Sequence, residues 1–219
     1  MWNADTLAMI GVGTVQTLVM TLISTLFSYL IGLPLGIALA VTAPEGIRPM
    51  RALNKALDIV VNLLRSVPFL ILLIAIIPFT RLITGTSIGT SATVVPLVVA
   101  SFPFVGRLVE SSIHEVDPGI IEAAQSMGAT VPQIIGKVMI PESIPSLVLG
   151  GAIATTTILS YSAMAGVVGG GGLGDIAIRY GYYRYQNDIM FVTVVLLVLI
   201  VQILQAVGDR FARAADNRK

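Results

Sequence analysis

The feature that most constrains this chain is a run of residues without any charged side chain, which extends from Thr6 to Pro44. A helix needs roughly 20 consecutive apolar residues to cross the hydrocarbon core of a bilayer, and this run is about twice that length. Four more apolar intervals follow it along the chain. We therefore predict an all-α polytopic membrane protein with five transmembrane helices, near residues 16–41, 58–80, 91–108, 144–168 and 189–207.

The composition agrees with a membrane protein. Only 11% of the 219 residues are charged, whereas soluble domains have about 25% charged residues. The chain has no cysteine and one histidine, His114, which excludes disulfides, thiolate catalysis and multi-histidine metal sites. We therefore predict no metal site, and the net charge of +1 predicts no nucleic-acid partner. The residues before the first span include Asp5 and no basic side chain, so that span does not resemble a cleaved signal peptide.

Lysine and arginine are distributed unevenly between the two sides of the predicted spans. Five spans place the termini on opposite sides, and cytoplasmic loops carry the excess of basic residues. With the N-terminus outside, ten basic residues face the cytoplasm and three face outward, which favours an N-out/C-in topology. We interpret Arg65 and Arg107 as side chains near helix ends that reach the interface by snorkelling. The cytoplasmic ten are Arg48, Arg51, Lys55, Arg65, Arg107, Lys137, Arg210, Arg213, Arg218 and Lys219, and the outer three are Arg81, Arg179 and Arg184.

A polar segment, Glu122 to Pro145, lies between the third and fourth spans and faces the cytoplasm in this topology. Asp117 and Pro118 are residue types that begin a helix. Gly128 is a natural stop, because glycine adopts the left-handed conformation without a steric penalty. The pattern predicts a short helix that ends in a glycine turn.

A second short helix is predicted after this turn. Thr130 and Gln133 have capping-box spacing, and Pro141 is expected to end the helix. The small side chains of Ala123 and Ala124 allow another surface to approach the first helix closely. From the residues alone two interpretations remain open, namely a helix that lies on the bilayer surface and a docking site for another protein.

The order of residues in this segment resembles the EAA loop of bacterial ABC importer permeases. Glu122, Ala123 and Ala124 are followed by Gly128 and, about a dozen residues later, by Ile140 and Pro141. In that family the loop, here about residues 110–143, forms a coupling helix that sits in a cleft of the ATP-hydrolysing subunit. The resemblance implies that the ATPase-coupling residues are Glu122, Ala123, Ala124, Ser126, Gly128, Ala129 and Pro141.

Four other segments resemble the methionine importers of this family. They lie at residues 62–73, 85–110, 160–175 and 181–188. The resemblance implies one permease domain over residues 1–219, with the type I ABC importer permease fold, in the bacterial inner membrane. It implies alternating-access import of methionine or D-methionine by a homodimer. The implied partners are a second copy of the chain, two ATP-binding subunits, an extracytoplasmic methionine-binding lipoprotein and membrane lipid.

The chain has no phosphate-binding loop of its own. Gly136 and Lys137 are followed by Val138 and lack the glycine loop of a Walker A motif. We therefore predict that the chain is not an enzyme and holds no cofactor, with ATP and magnesium bound by the partner ATPase. The G-x-G-x-x-G match at residues 169–174 follows a membrane span and not a strand, so we interpret it as a flexible outer turn or hinge.

The fourth span carries the most hydroxyl groups of the five. The small residues at 150–154 are typical of helix packing in membranes, whereas the cluster at 160–164 suits a lining that moves around a small apolar solute. Since no histidine or carboxylate accompanies these hydroxyls within the span, we predict no catalytic residue. The pore-lining candidates are Ser160, Tyr161, Ser162 and Met164.

Three alternatives to a methionine importer remain open at the level of the sequence. A permease of the same superfamily that carries another amino acid or small organic solute would share the loop. A membrane scaffold would show no transport, and a passive channel would leave the docking loop unexplained.

Overall fold

The computed structural model describes residues 3–215, and every regular element within them is helical. The all-α prediction is therefore confirmed. Arg218 and Lys219, which entered the charge distribution above, lie outside the described residues. The helices are α1 Ala4–Thr42, α2 Arg51–Ser66, α3 Phe69–Ala75, α4 Ile77–Thr84, α5 Thr90–His114, α6 Pro118–Ser126, α7 Val131–Ile134, α8 Ile140–Ala165, α9 Gly172–Ile176 and α10 Asn187–Ala215.

Four helical stretches in this part of the chain are long and apolar enough to cross a membrane, namely α1, α5, the continuous run Val131–Val168 and α10. The second predicted span, 58–80, is not one helix. α2 and α3 pass the same test together but meet at an angle of 98°. The bend falls at Val67 and Pro68, because the residue before a proline avoids the helical conformation. Five spans result when the bent pair counts as one.

α5 is the central helix of the bundle, and α1 packs along it more extensively than any other helix does. Gly32 and Gly36 of α1 face Val105 and Gly106 of α5, and a Cβ atom at Gly32 would lie only 2.7 Å from Val105 Cγ1. Small residues four apart permit such close helix contacts in membranes. The two glycines therefore determine how closely α1 and α5 can approach each other.

Farther along the same contact, α1 and α5 bury hydroxyl groups that have no hydrogen-bond partner. They are Thr21, Ser24 and Ser28 of α1 and Ser101 of α5, and each is completely buried. Small hydroxyl side chains are common where membrane helices pack together. The α1–α5 contact is therefore held by close packing and not by hydrogen bonds between these side chains.

The second short helix does not end at Pro141, contrary to the sequence-based expectation. The chain stays helical from Val131 to Val168, and Pro141 lies in the first turn of α8. Ahead of it, Ile135–Met139 forms a π-helical turn. A proline ring collides with the carbonyl four residues earlier in a regular helix, and the wider π-helical turn relieves that collision. α7 is therefore joined to α8 without a loop.

Candidate functional site

The predicted coupling helix is present as α6, and its two ends are fixed by its own residues. The Asp117 carboxylate accepts a hydrogen bond of 2.8 Å from the backbone N–H of Gly119. At the other end Gly128 has a φ of +80°. The N–H groups of Gly128 and Ala129 donate to the carbonyls of Gln125 and Ala124 at 2.9 and 3.1 Å. This pair of bonds is the Schellman arrangement, which stops a helix and fixes the exit direction of the chain.

The coupling candidates divide into one anchoring residue and several exposed ones. Ala124 is buried and packs with Ile134 and Met139, which belong to the run that leads into α8. Glu122, Ala123, Ser126, Gly128 and Pro141 are exposed, and Ala129 is half-buried. α6 thus rests on the membrane bundle through Ala124, while the small side chains and the carboxylate beside it remain accessible to a partner.

α6 lies at the same end of the bundle as the C-terminal end of α1. A cavity of about 370 Å³ separates Glu122 and Gln125 of α6 from Glu45 and Gly46, and His114 also lines it. Because α6 packs against Ile134 and Met139, a displacement of α6 acts directly on the continuous helical run that contains α8. α6 is thus a short helix in direct contact with a membrane-spanning one.

The four pore-lining candidates do not share one surface. Ser160 and Met164 are exposed in a mainly apolar groove of about 610 Å³ between α8 and α10. Ser162 is 1% exposed and donates a hydrogen bond of 2.7 Å to the Leu159 carbonyl. Its position indicates a role in helix packing. Tyr161 points into a different cavity.

That second cavity, called the bend cavity here, lies where α2 bends into α3. It has a volume of about 260 Å³. The rings of Phe69 and Tyr161 stack in its wall, with centroids 4.7 Å apart and an interplanar angle of 4°. Its lining includes Arg65, Phe69, Ala100, Phe104, Thr157 and Tyr161. Sequence reasoning missed Arg65 here, although an arginine at the edge of an apolar span was the available signal.

The other arginine that we interpreted as snorkelling is paired within the protein. Arg107 of α5 forms ion pairs with Asp58 of α2 and, at 2.7 Å, with Glu110. It also donates to the Asn62 side chain at 3.0 Å. This cluster ties α2 to α5 ahead of the bend, so it fixes the helix that leads into the bend cavity.

The glycine segment at the opposite end of the bundle, residues 169–174, is clamped by hydrogen bonds to side chains of α1 and α5. Gly169, Gly171 and Gly172 all have positive φ angles, between +75° and +81°. The Gly172 N–H donates to Gln16 Oε1 at 3.0 Å, and the Leu173 N–H donates to Thr17 Oγ1 at 2.8 Å. The first N–H groups of α9 are therefore capped by side chains of α1, and the segment is held in place instead of forming a free turn.

Among residues 3–215 no group of three or more histidine, cysteine, aspartate or glutamate side chains is placed to hold a metal ion. The G-x-G-x-x-G match lies in the clamped segment, and no strand precedes it within the described chain. A dinucleotide-binding site requires this motif to follow a strand and open a helix, so the described chain lacks the context of such a site.

Comparison with protein families gives one match over most of the chain. The model described as "Binding-protein-dependent transport system inner membrane component" matches residues 32–219. This range contains α6, the bend cavity and the α8–α10 groove.

Curated relatives are similar over almost the full length. The "Probable D-methionine transport system permease protein MetI" of Vibrio cholerae is 52% identical, over 99% of this chain and 96% of the relative. The "Methionine import system permease protein MetP" of Bacillus subtilis is 46% identical, over 100% of this chain and 94% of the relative.

Solved structures of ABC transporters superpose on this chain. A chain from the inward-facing MetNI methionine ABC transporter superposes with a TM-score of 0.97 at 44% identity, covering 99% of this chain and 100% of that chain. A chain from an amino acid ABC transporter crystallised with histidines superposes with a TM-score of 0.78 at 21% identity, covering 94% of both chains. The second likeness concerns the fold alone.

Proposed function

The chain belongs to the family of binding-protein-dependent transport system inner membrane components, and on that premise we propose that it is the permease subunit of an ATP-driven methionine importer. It is a multi-pass protein of the bacterial inner membrane with the fold of type I ABC importer permeases. The observation that carries the assignment of methionine is the full-length similarity to methionine permeases, at 44–52% identity.

Energy enters this importer from a separate ATPase. The chain has no Walker A motif, so it neither binds nor hydrolyses ATP, and ATP and magnesium are held by the partner. α6 is the element that docks into the ATPase. Its small exposed residues fit a close contact between backbones, and its support by Ala124 turns motion of the ATPase into motion of α8.

The complete importer contains two copies of this chain, two ATP-binding subunits and an outer methionine-binding lipoprotein. Five spans are too few to enclose a conduit, and a two-fold dimer supplies the missing wall. The apolar groove with Ser160 and Met164 lines that dimer interior, and Tyr161 lines the path beside it. The pair of permeases alternates between inward-open and outward-open states as the ATPases close and reopen.

The proposal is tested by reconstituting the chain in proteoliposomes with its cognate ATPase and binding protein. We expect uptake of labelled L- or D-methionine that requires ATP and is competed by unlabelled methionine. Uptake of another amino acid that methionine does not compete would contradict the substrate. Flux without ATP would indicate a channel, and absence of both flux and stimulated ATP hydrolysis would indicate a scaffold.

A further inference from the structure

The bend cavity combines an exposed cationic side chain, Arg65, with an aromatic wall formed by Phe69 and Tyr161. Ala100 and Phe104 lie near the middle of α5, and Thr157 lies near the middle of the predicted span 144–168. Arg65 lies exposed in the last turn of α2, just before the 98° bend, and lines the same cavity as these residues. Ionisable side chains that face a cavity in a membrane protein mark substrate or ion pathways.

Arg65 differs from its neighbour Arg107 in having no partner. Among residues 3–215 its guanidinium forms neither an ion pair nor a hydrogen bond, whereas Arg107 has Asp58, Glu110 and Asn62. A cation inside a membrane protein is normally paired. Arg65 is exposed to the cavity and has no such partner among these residues, so its guanidinium is available to an anion that enters from outside the chain.

We propose that the bend cavity binds the substrate amino acid, with Arg65 holding its carboxylate. The planar guanidinium matches a carboxylate with two parallel hydrogen bonds. The inference rests on the proposed function for the presence of an amino acid in the bundle, and it adds the residues that recognise it.

The remaining walls fit the other parts of methionine. The stacked rings of Phe69 and Tyr161, together with Phe104, offer the aromatic surface that a thioether favours. Thr157 donates its hydroxyl proton to the Ile153 carbonyl at 2.8 Å, so its oxygen lone pairs can accept from the substrate ammonium. The Tyr161 hydroxyl is also without a partner among residues 3–215.

The volume of the cavity fits a ligand of the size of a single amino acid. Its volume of about 260 Å³ lies just below the roughly 300 Å³ at which small-molecule pockets begin. A peptide or the acyl chains of a phospholipid exceed this space. A lipid phosphate remains the competing anion for Arg65, and the experiment distinguishes it from a carboxylate.

The test uses protection of a single cysteine, because the natural chain contains none. Ala100→Cys, whose side chain lines the cavity without an assigned substrate contact, is introduced into the complete importer in detergent, and the rate of its reaction with neutral methyl methanethiosulfonate is measured by mass spectrometry of the permease chain. We expect methionine to slow this reaction, and methioninol, which lacks the carboxylate, to have no effect. Ile153→Cys, exposed on α8 and outside the cavity, is the control and keeps its rate.

Substitution of Arg65 supplies the second arm. Arg65→Gln raises the methionine concentration needed for protection by about tenfold or more, because a charge-assisted hydrogen bond is lost. Arg65→Lys, which keeps the charge without the planar fork, gives a smaller increase. If Ala100→Cys does not assemble with the ATPase, Leu64→Cys in the same cavity takes its place.

Three results would overturn the inference. They are no protection by methionine, equal protection by methioninol, and protection by added phosphatidylglycerol that methionine does not displace. Uptake by the unsubstituted importer is measured in parallel. Normal methionine uptake without protection rejects the bend cavity alone, whereas absence of uptake rejects the proposed function.

Discussion

At the scale of single residues, Gly128 determines the direction in which the chain leaves the coupling helix. Its φ of +80° lies in the left-handed region, and no atom lies within 4 Å of a Cβ built there. The cost of a substitution at this position therefore comes from the backbone and not from crowding. An L-residue in the left-handed conformation loses about 1–2 kcal/mol relative to glycine.

We expect Gly128→Ala to lower the amount of methionine taken up per ATP hydrolysed. The strained turn changes the orientation of α6, so its exposed residues dock less productively on the ATPase. Gly136→Ala is the matched control, because Gly136 lies in the helical run and also has open space around it. Uptake and phosphate release are measured together in proteoliposomes. Equal ratios for the two variants would show that the turn has no part in coupling.

At the scale of elements, α1 acts as a cap for α9 across a long separation in sequence. The two hydrogen bonds from Gly172 and Leu173 reach side chains 156 residues earlier in the chain. Thr17 can serve as acceptor because its own hydroxyl proton goes to the Gly13 carbonyl at 2.9 Å. The position of the outer glycine segment therefore depends on a helix that is distant in sequence.

We expect Thr17→Val to destabilise the assembled importer. Valine preserves the shape but leaves the buried Leu173 N–H without an acceptor, which costs about 1–3 kcal/mol. Thr14→Val is the control, since the Thr14 hydroxyl contacts only the Ile10 carbonyl of its own helix. Thermal unfolding in lipid nanodiscs gives the midpoints. We expect the unfolding midpoint to fall for Thr17→Val and to stay near that of the unsubstituted chain for Thr17→Ser. Equal midpoints for Thr17→Val, Thr17→Ser and Thr14→Val would contradict this expectation.

The features that the sequence predicts are those with a local signal. Asp117, Pro118 and Gly128 are residue types that begin or end a helix, and the bounds of α6 follow from them. The clamp at Gln16 has no such signal, because nothing near it indicates that a glycine 156 residues away needs an acceptor. Arg65 lies in the last turn of α2, as expected, but the 98° bend that brings it into the wall of the bend cavity has no signal in the hydrophobic periodicity.

At the scale of the whole molecule, the two ends of the bundle carry different tasks. α6 and the end of α1 surround a cavity at one end. The clamped glycine segment lies at the other, followed by exposed tyrosines that include Tyr185. In the predicted N-out/C-in topology the first end meets the ATPase and the second meets the binding protein.

We expect single-cysteine labelling to place these ends on opposite sides of the membrane. Tyr185 is 86% exposed and Met127 is 82% exposed, and the unsubstituted chain has no cysteine to interfere. An impermeant maleimide should label Tyr185→Cys on intact spheroplasts and should label Met127→Cys only after permeabilisation. The reverse order of labelling would overturn the topology.

The length of α1 makes its tilt sensitive to the thickness of the surrounding bilayer. Its 39 residues extend about 58 Å at 1.5 Å per residue, nearly twice the roughly 30 Å of the hydrocarbon core. Such a helix meets the mismatch by tilting, at a cost of fractions of a kcal/mol per Å. One part of α1 holds the glycine segment through Gln16 and Thr17, and another is fixed to α5 through Gly32 and Gly36. We therefore expect bilayer thickness to act on the outer glycine segment through the tilt of α1.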